Sequence, residues 1–471
     1  MSPLGAYLKC YSTLTNSRPR SSDDLYQQVL SGEVTPANAC VQLITESEFN
    51  GQGVIKVNSD RHRRILHTLH SFHQSWFGKL DFLSSFAAGV RGTYSSYIYD
   101  QSEPALYITR ALFQPNQKYE DIVTSNQSLK PVRFMSGTLK SSATRQETID
   151  LGLCRASDSP ATCYFDVSMG GARAPWAQVR YSPKGDLVGI QAANPLIVPQ
   201  LNAKGEKLKD VNIVANIGGG IIGSPIYRMV NQPLAINGHF DGSTVARNWS
   251  KALFQDLLCR SLPVLRYGDA LPFVDATSSF PFRQSQTCVT CHATIDRMAG
   301  TMRNYTLRFA GRATTTVDEK ILAIEYADAW PISKPPIENW RSEIDTDYHL
   351  RPPIGQLYYR GYDGTLNFSS VSGSGELGSE LAARKDLYVC AAKRYYEFFT
   401  GHSVTVADIN DPAYIEPLPP EEIHHRNRVI ELGERLFQHQ SLKILIREII
   451  ESPEFNEVPI VLDRGLASEE S

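Results

Sequence analysis

Eight cysteines constrain this chain more than any propensity does, because a bridge or a covalently held group fixes distant points of the backbone together. Six of them, Cys10, Cys40, Cys154, Cys163, Cys259 and Cys390, are scattered singly. The other two, Cys288 and Cys291, share the stretch QSQTCVTCHATIDRMAG at residues 284–300, with His292 directly behind them. Three chemistries use such a pair: a thiol redox site, a metal site or covalent haem attachment. The six dispersed cysteines form an even set. That set is compatible with disulfides in an oxidising compartment and also with buried free thiols.

A length of 471 residues exceeds one ordinary core, so several structural units are expected. Apolar residues make up 42% and charged residues 21%, the balance of a globular protein. The net charge of −3 gives no electrostatic case for nucleic acid or an anionic membrane as partner. No apolar run approaches the ~18 residues of a transmembrane helix. The start, MSPLGAYLKCYSTLTNSRPR, lacks the apolar core of a signal peptide, so either the protein is cytosolic or the numbering begins on a processed chain.

Patterning predicts a mainly α fold with β-hairpin insertions, an α+β chain. SSDDLYQQVLSG has a Ser/Asp start and a Gly stop, and TPANACVQLITESEF has a Thr cap followed by Pro. A longer helix covers SDRHRRILHTLHSFHQSWFGKLDFL, with Ile65, Leu69, Phe72 and Trp76 on one face. His62, His67, His70 and His73 lie in the same helix, and helical spacing turns His67 and His70 away from that stripe, so surface positions rather than ligands are expected. Hairpins are expected in QVRYSPKGDLVGI, around Lys204-Gly205, and across the Gly361–Gly364 turn of GQLYYRGYDGTLNFSSV. The run NIGGGIIGSP lacks the Lys-Ser/Thr ending of a phosphate loop and reads as close packing against helices. Further helices are expected in STVARNWSKALFQDLLCRSLPVLR, which carries Cys259, and in three segments after residue 373.

The Cys-x-x-Cys-His motif can then be weighed. A thioredoxin-type pair opens a helix after a strand in a βαβ unit, and no such alternation surrounds it. A structural zinc site needs a second paired motif, and none exists. Covalent haem uses every residue: thioethers from Cys288 and Cys291, one helical turn apart, and His292 as proximal iron ligand.

The flanks carry a resemblance. CVTCHATID is similar to the Cys-x-x-Cys-His-x-x-(Ile/Met)-Asp signature of large planctomycete-type c-type cytochrome proteins. The stretches GGGIIGSP, ARNWSKALFQDLLCRSLP, GELGSELAARKDLYVCAAKRYYEFFTGHSVTVAD and SLKILIREIIESPEF resemble the helical surroundings of that module, over about residues 217–455. His402 stands where that family usually has an arginine, and the glycine after the signature Asp is displaced into RMAG.

The resemblance implies a helical cytochrome-c-like module embedded in a larger helical multidomain chain. The expected units are an N-terminal helical domain at 1–150, a β-rich insertion at 151–216, the haem c module at 217–312, a β-hairpin segment at 313–373 and a C-terminal helical domain at 374–471. It also implies one covalent haem c and a periplasmic or cell-surface location. Sequence order and element placement then suggest disulfides Cys10–Cys40, Cys154–Cys163 and Cys259–Cys390. Met298 and Met302 follow His292 on the same element and are not expected to reach the opposite haem face. Met229, in SPIYRMVNQP, is the first candidate for a distal ligand, followed by His239 and His402. The expected role is electron transfer or a redox function, with a redox partner or envelope-complex subunits as partners. The alternatives are a structural or assembly subunit stapled by haem and disulfides, and a peroxidase-type haem enzyme. No catalytic residue stands out.

Overall fold

The computed structural model describes residues 1–78, 102–133, 186–193, 197–201, 207–212, 216–231, 246–278, 280–303, 305–310, 321–326, 352–412 and 417–457, to which every structural statement below refers. These residues form a mainly helical chain with four two-stranded antiparallel sheets.

The N-terminal helices are α1 (Pro3–Thr15), α2 (Asp24–Ser31), α3 (Pro36–Glu46) and α4 (Asp60–Gln74). Side-chain caps start three of them: Ser2, Thr35 and Ser59 each accept the amide of a first-turn residue, and proline fills the first turn of α1 and α3. Gly32, at φ +80°, ends α2 as its sequence predicts. Helices α5 (Glu103–Phe113) and α6 (Asp121–Thr124) follow.

The solvent-side expectation for His67 and His70 holds at the first and is overturned at the second. His67 is exposed, whereas His62, His70 and His73 are buried. The buried stripe is wider than the four apolar residues suggested, because α4 packs against both α1 and α5. His70 and His73 share the Thr109 hydroxyl at 3.0 and 2.8 Å, and Nε2 of His73 meets the Tyr395 hydroxyl at 2.6 Å. Hydrogen bonding makes these rings tolerable in a core.

Strand β1 (Leu129–Arg133) pairs with β2 (Leu187–Ala192), with Leu129 opposite Ala192. The first arm and turn of the hairpin expected before β2 lie outside the described residues. Strands β3 (Ile197–Leu201) and β4 (Lys207–Asn212) form the pair expected around Lys204-Gly205, and β5 (Tyr305–Ala310) pairs with β6 (Ile321–Tyr326). The hairpin of β7 (Ile354–Arg360) and β8 (Leu366–Ser372) closes through Gly361 and Gly364, the latter at φ +79°.

The glycine run packs closely, as read from the sequence. Gly220 sits at φ +57°, and a Cβ there would lie 2.1 Å from the Ile122 carbonyl oxygen of α6. Beyond it come α7 (Pro225–Asn231) and α8 (Arg247–Leu257), then the short α9 (Tyr267–Ala270) and α10 (Pro281–Gln284), and α11 (Gln286–Ala299). The described residues continue with α12 (Gly373–Ala382), α13 (Lys385–Thr400), α14 (Pro420–His439), α15 (Leu442–Glu451) and α16 (Pro453–Glu457).

One hydrophobic cluster runs from Ala6 in α1 to Phe455 in α16, and α15 packs on α3. Lys9 Nζ donates to the Phe455 carbonyl at 2.6 Å, and Lys443 pairs with Glu48. No described helix is long and apolar enough to cross a membrane.

Candidate functional site

Helix α11 carries the Cys-x-x-Cys-His motif, and its two faces differ in kind. Val289 and Ala293 are buried in a small cluster with Leu265, Ala270 and Tyr358, while Met298 and Ala299 enter the main core. Thr294 donates to the Tyr358 carbonyl of β7 at 2.9 Å. Gly300 lets the end of α11 approach β7, since a Cβ there would meet the Ile354 carbonyl oxygen at 2.5 Å. Arg297 lies over the Phe273 ring at 4.2 Å and bonds Gln356, and burial lowers its pKa to about 10.

The opposite face is partly open, at Cys288 above all. Cys288, Cys291 and His292 stand at i, i+3 and i+4, the spacing that brings three side chains onto one side of a helix. Cys288 is exposed, Cys291 is partly buried, and both are free thiols. His292 Nδ1 lies 3.0 Å from Oδ2 of Asp296, and the Phe282 ring stacks on the imidazole at 4.3 Å. Asp296 in turn takes Nε and Nη2 of Arg247 from α8.

The other cysteines behave differently. Cys10 of α1 and Cys40 of α3 are bridged with the sulfurs 2.11 Å apart, and Cys259 is bridged to Cys390 of α13 at 2.01 Å, both as expected from the sequence. One detail is corrected: Cys259 is not carried by a helix. Helix α8 stops at Leu257, and Cys259 takes φ +52° in the turn that brings it to α13. Cys154 and Cys163 lie outside the described residues.

Burial pushes the Cys291 thiol up, the opposite of the depressed value that activates a redox nucleophile. Among the described residues no group of three or more His, Cys, Asp and Glu side chains is arranged to hold a metal ion. Covalent haem asks for less from this segment: two free thiols a turn apart and one imidazole nitrogen. The partly open face of α11 fits that donor set, with Nδ1 of His292 occupied by Asp296 and Nε2 without a hydrogen bond among the described residues.

The distal candidates are less informative. Met229 belongs to α7, but its side chain and the whole of His239 lie outside what is described. His402 follows α13 and stacks on His425 of α14 at 4.1 Å, with its Nε2 buried and without a hydrogen bond among the described residues. Met298 and Met302 are buried in the main core. Three residues of the site escaped sequence reading: Asp296, Arg247 and Phe282. The helical i, i+4 spacing from His292 could have pointed to Asp296, whereas nothing local marks an arginine on another helix.

No family model, no curated protein and no solved structure matches the chain.

Proposed function

We propose that this is an exported c-type cytochrome-like protein carrying one haem c, with an electron-transfer or redox role in the periplasm or at the cell surface. The observation that supports it is the division among the cysteines. Cys10, Cys40, Cys259 and Cys390 are bridged, while Cys288 and Cys291 remain free on the partly open face of α11 beside His292.

In this reading Cys288 and Cys291 would hold the porphyrin through thioethers, and His292 Nε2 would bind its iron. The haem, when bound, supplies a one-electron ferric/ferrous couple. The chain supplies the rest: a helix anchored by Val289, Ala293 and Met298, and an imidazole held by Asp296 and Phe282. A second ligand from elsewhere in the chain, Met229 first, would complete a six-coordinate iron suited to electron transfer.

Carbon monoxide separates this role from its main competitor. The ferrous protein, expressed with haem maturation, is expected to keep its visible spectrum when exposed to the gas, and Met229→Ala is expected to make it respond. A wild-type ferrous spectrum that shifts readily would mean an open iron and favour the peroxidase-type reading.

A further inference from the structure

We propose that Asp296 is a positioning residue for the proximal imidazole, and that its pairing with Arg247 sets how strongly His292 donates to the iron; this rests on the haem reading above. The Asp296 side chain has no solvent exposure. A buried carboxylate is costly unless it is paired and hydrogen-bonded. Arg247 meets that need alone, since Nε reaches Oδ1 and Nη2 reaches Oδ2 at 3.0 Å. The contact to His292 is therefore additional to what burial requires.

That contact has a chemical consequence. A carboxylate already held by a guanidinium accepts hydrogen bonds and has none to give, so Nδ1 of His292 is the donor across 3.0 Å. The tautomer follows: Nδ1 carries the proton, and the Nε2 lone pair is left for a metal. The ring is restrained a second time by Phe282, stacked at 4.3 Å with the planes 27° apart. The Arg247 guanidinium itself lies 5.3 Å from the Phe282 centroid, so one arginine supports both restraints. Carboxylate partners of ligating histidines raise ligand basicity, which stabilises the ferric state. Arg247 tempers the effect by neutralising part of the carboxylate charge.

The pair thus acts in two directions, and potentiometric titration of the haem-loaded protein reads both. Asp296→Asn keeps the shape but weakens the acceptor, so the midpoint potential is expected to rise, on the scale of a tenfold change in the redox equilibrium, or ~59 mV for one electron. Arg247→Gln leaves the carboxylate less compensated, and the potential is expected to fall. Asp296→Glu keeps the charge but misplaces the oxygen. A rise there identifies the hydrogen bond, whereas a wild-type value would reduce the role to charge alone and overturn positioning. Should one variant fail to fold, the other two still carry the sign. Unchanged potentials in all folded variants would overturn the proposal. A wild-type protein with no covalent haem would instead remove the cytochrome reading, and this inference with it.

Discussion

His73 is fully buried in α4, with Thr109 on one ring nitrogen and Tyr395 on the other. Burial, reinforced by neighbouring His70, holds its pKa well below the ordinary 6.5. Its unfolded form takes a proton as the pH falls below 6.5, while its folded form stays neutral until much lower pH. Unfolding then binds the extra proton, so stability falls with acidification, by up to about 1.4 kcal/mol per pH unit for this one group. His73→Leu is expected to flatten the slope of denaturant stability against pH between 6.5 and 5 by about one proton; an unchanged slope would show that His73 is not the group responsible. The same residue shows where sequence reading stops. An apolar stripe identifies a helix face, but histidine is read as polar unless its partners are known. Thr109 and Tyr395 lie 36 and 322 residues away.

At the scale of elements, local chemistry explains most of what was legible. Thr35 before Pro36, Gly32 after α2, and the Gly361–Gly364 turn each satisfy a backbone requirement within a few residues, and each stands where expected. Pairing over distance was not legible: β2 meets β1 with the partners Arg133 and Leu187 separated by 54 positions, 187 − 133. The disulfides belong to this scale because each ties two elements. Cys259–Cys390 joins the turn after α8 to α13 with a sequence separation of 131. In the chain-entropy treatment a loop of that size contributes about 5 kcal/mol through the unfolded state. Cys390→Ala is therefore expected to lower the denaturant midpoint markedly in oxidised protein and to change little once the wild type is reduced. Peptide mapping that finds Cys259 and Cys390 alkylated without reductant would contradict the bridge.

Among the described residues of the whole molecule, one core joins α1 to α16, the Cys10–Cys40 bridge lies in it and Cys259 of the second bridge packs against it, while α11 keeps two free thiols beside a partly exposed imidazole. The candidate site was legible because its defining spacing is local to α11. Its supports were not, since Arg247 comes from α8 and Phe282 from α10. The claim on which the rest depends is covalent haem at Cys288 and Cys291, and the intact mass of denatured protein made with haem maturation tests it most directly. The expected mass is that of the polypeptide plus one haem, with haem-dependent peroxidase staining that survives denaturation and is largely lost in Cys291→Ala. A mass equal to the bare polypeptide, less the hydrogens of its disulfides, would contradict the account.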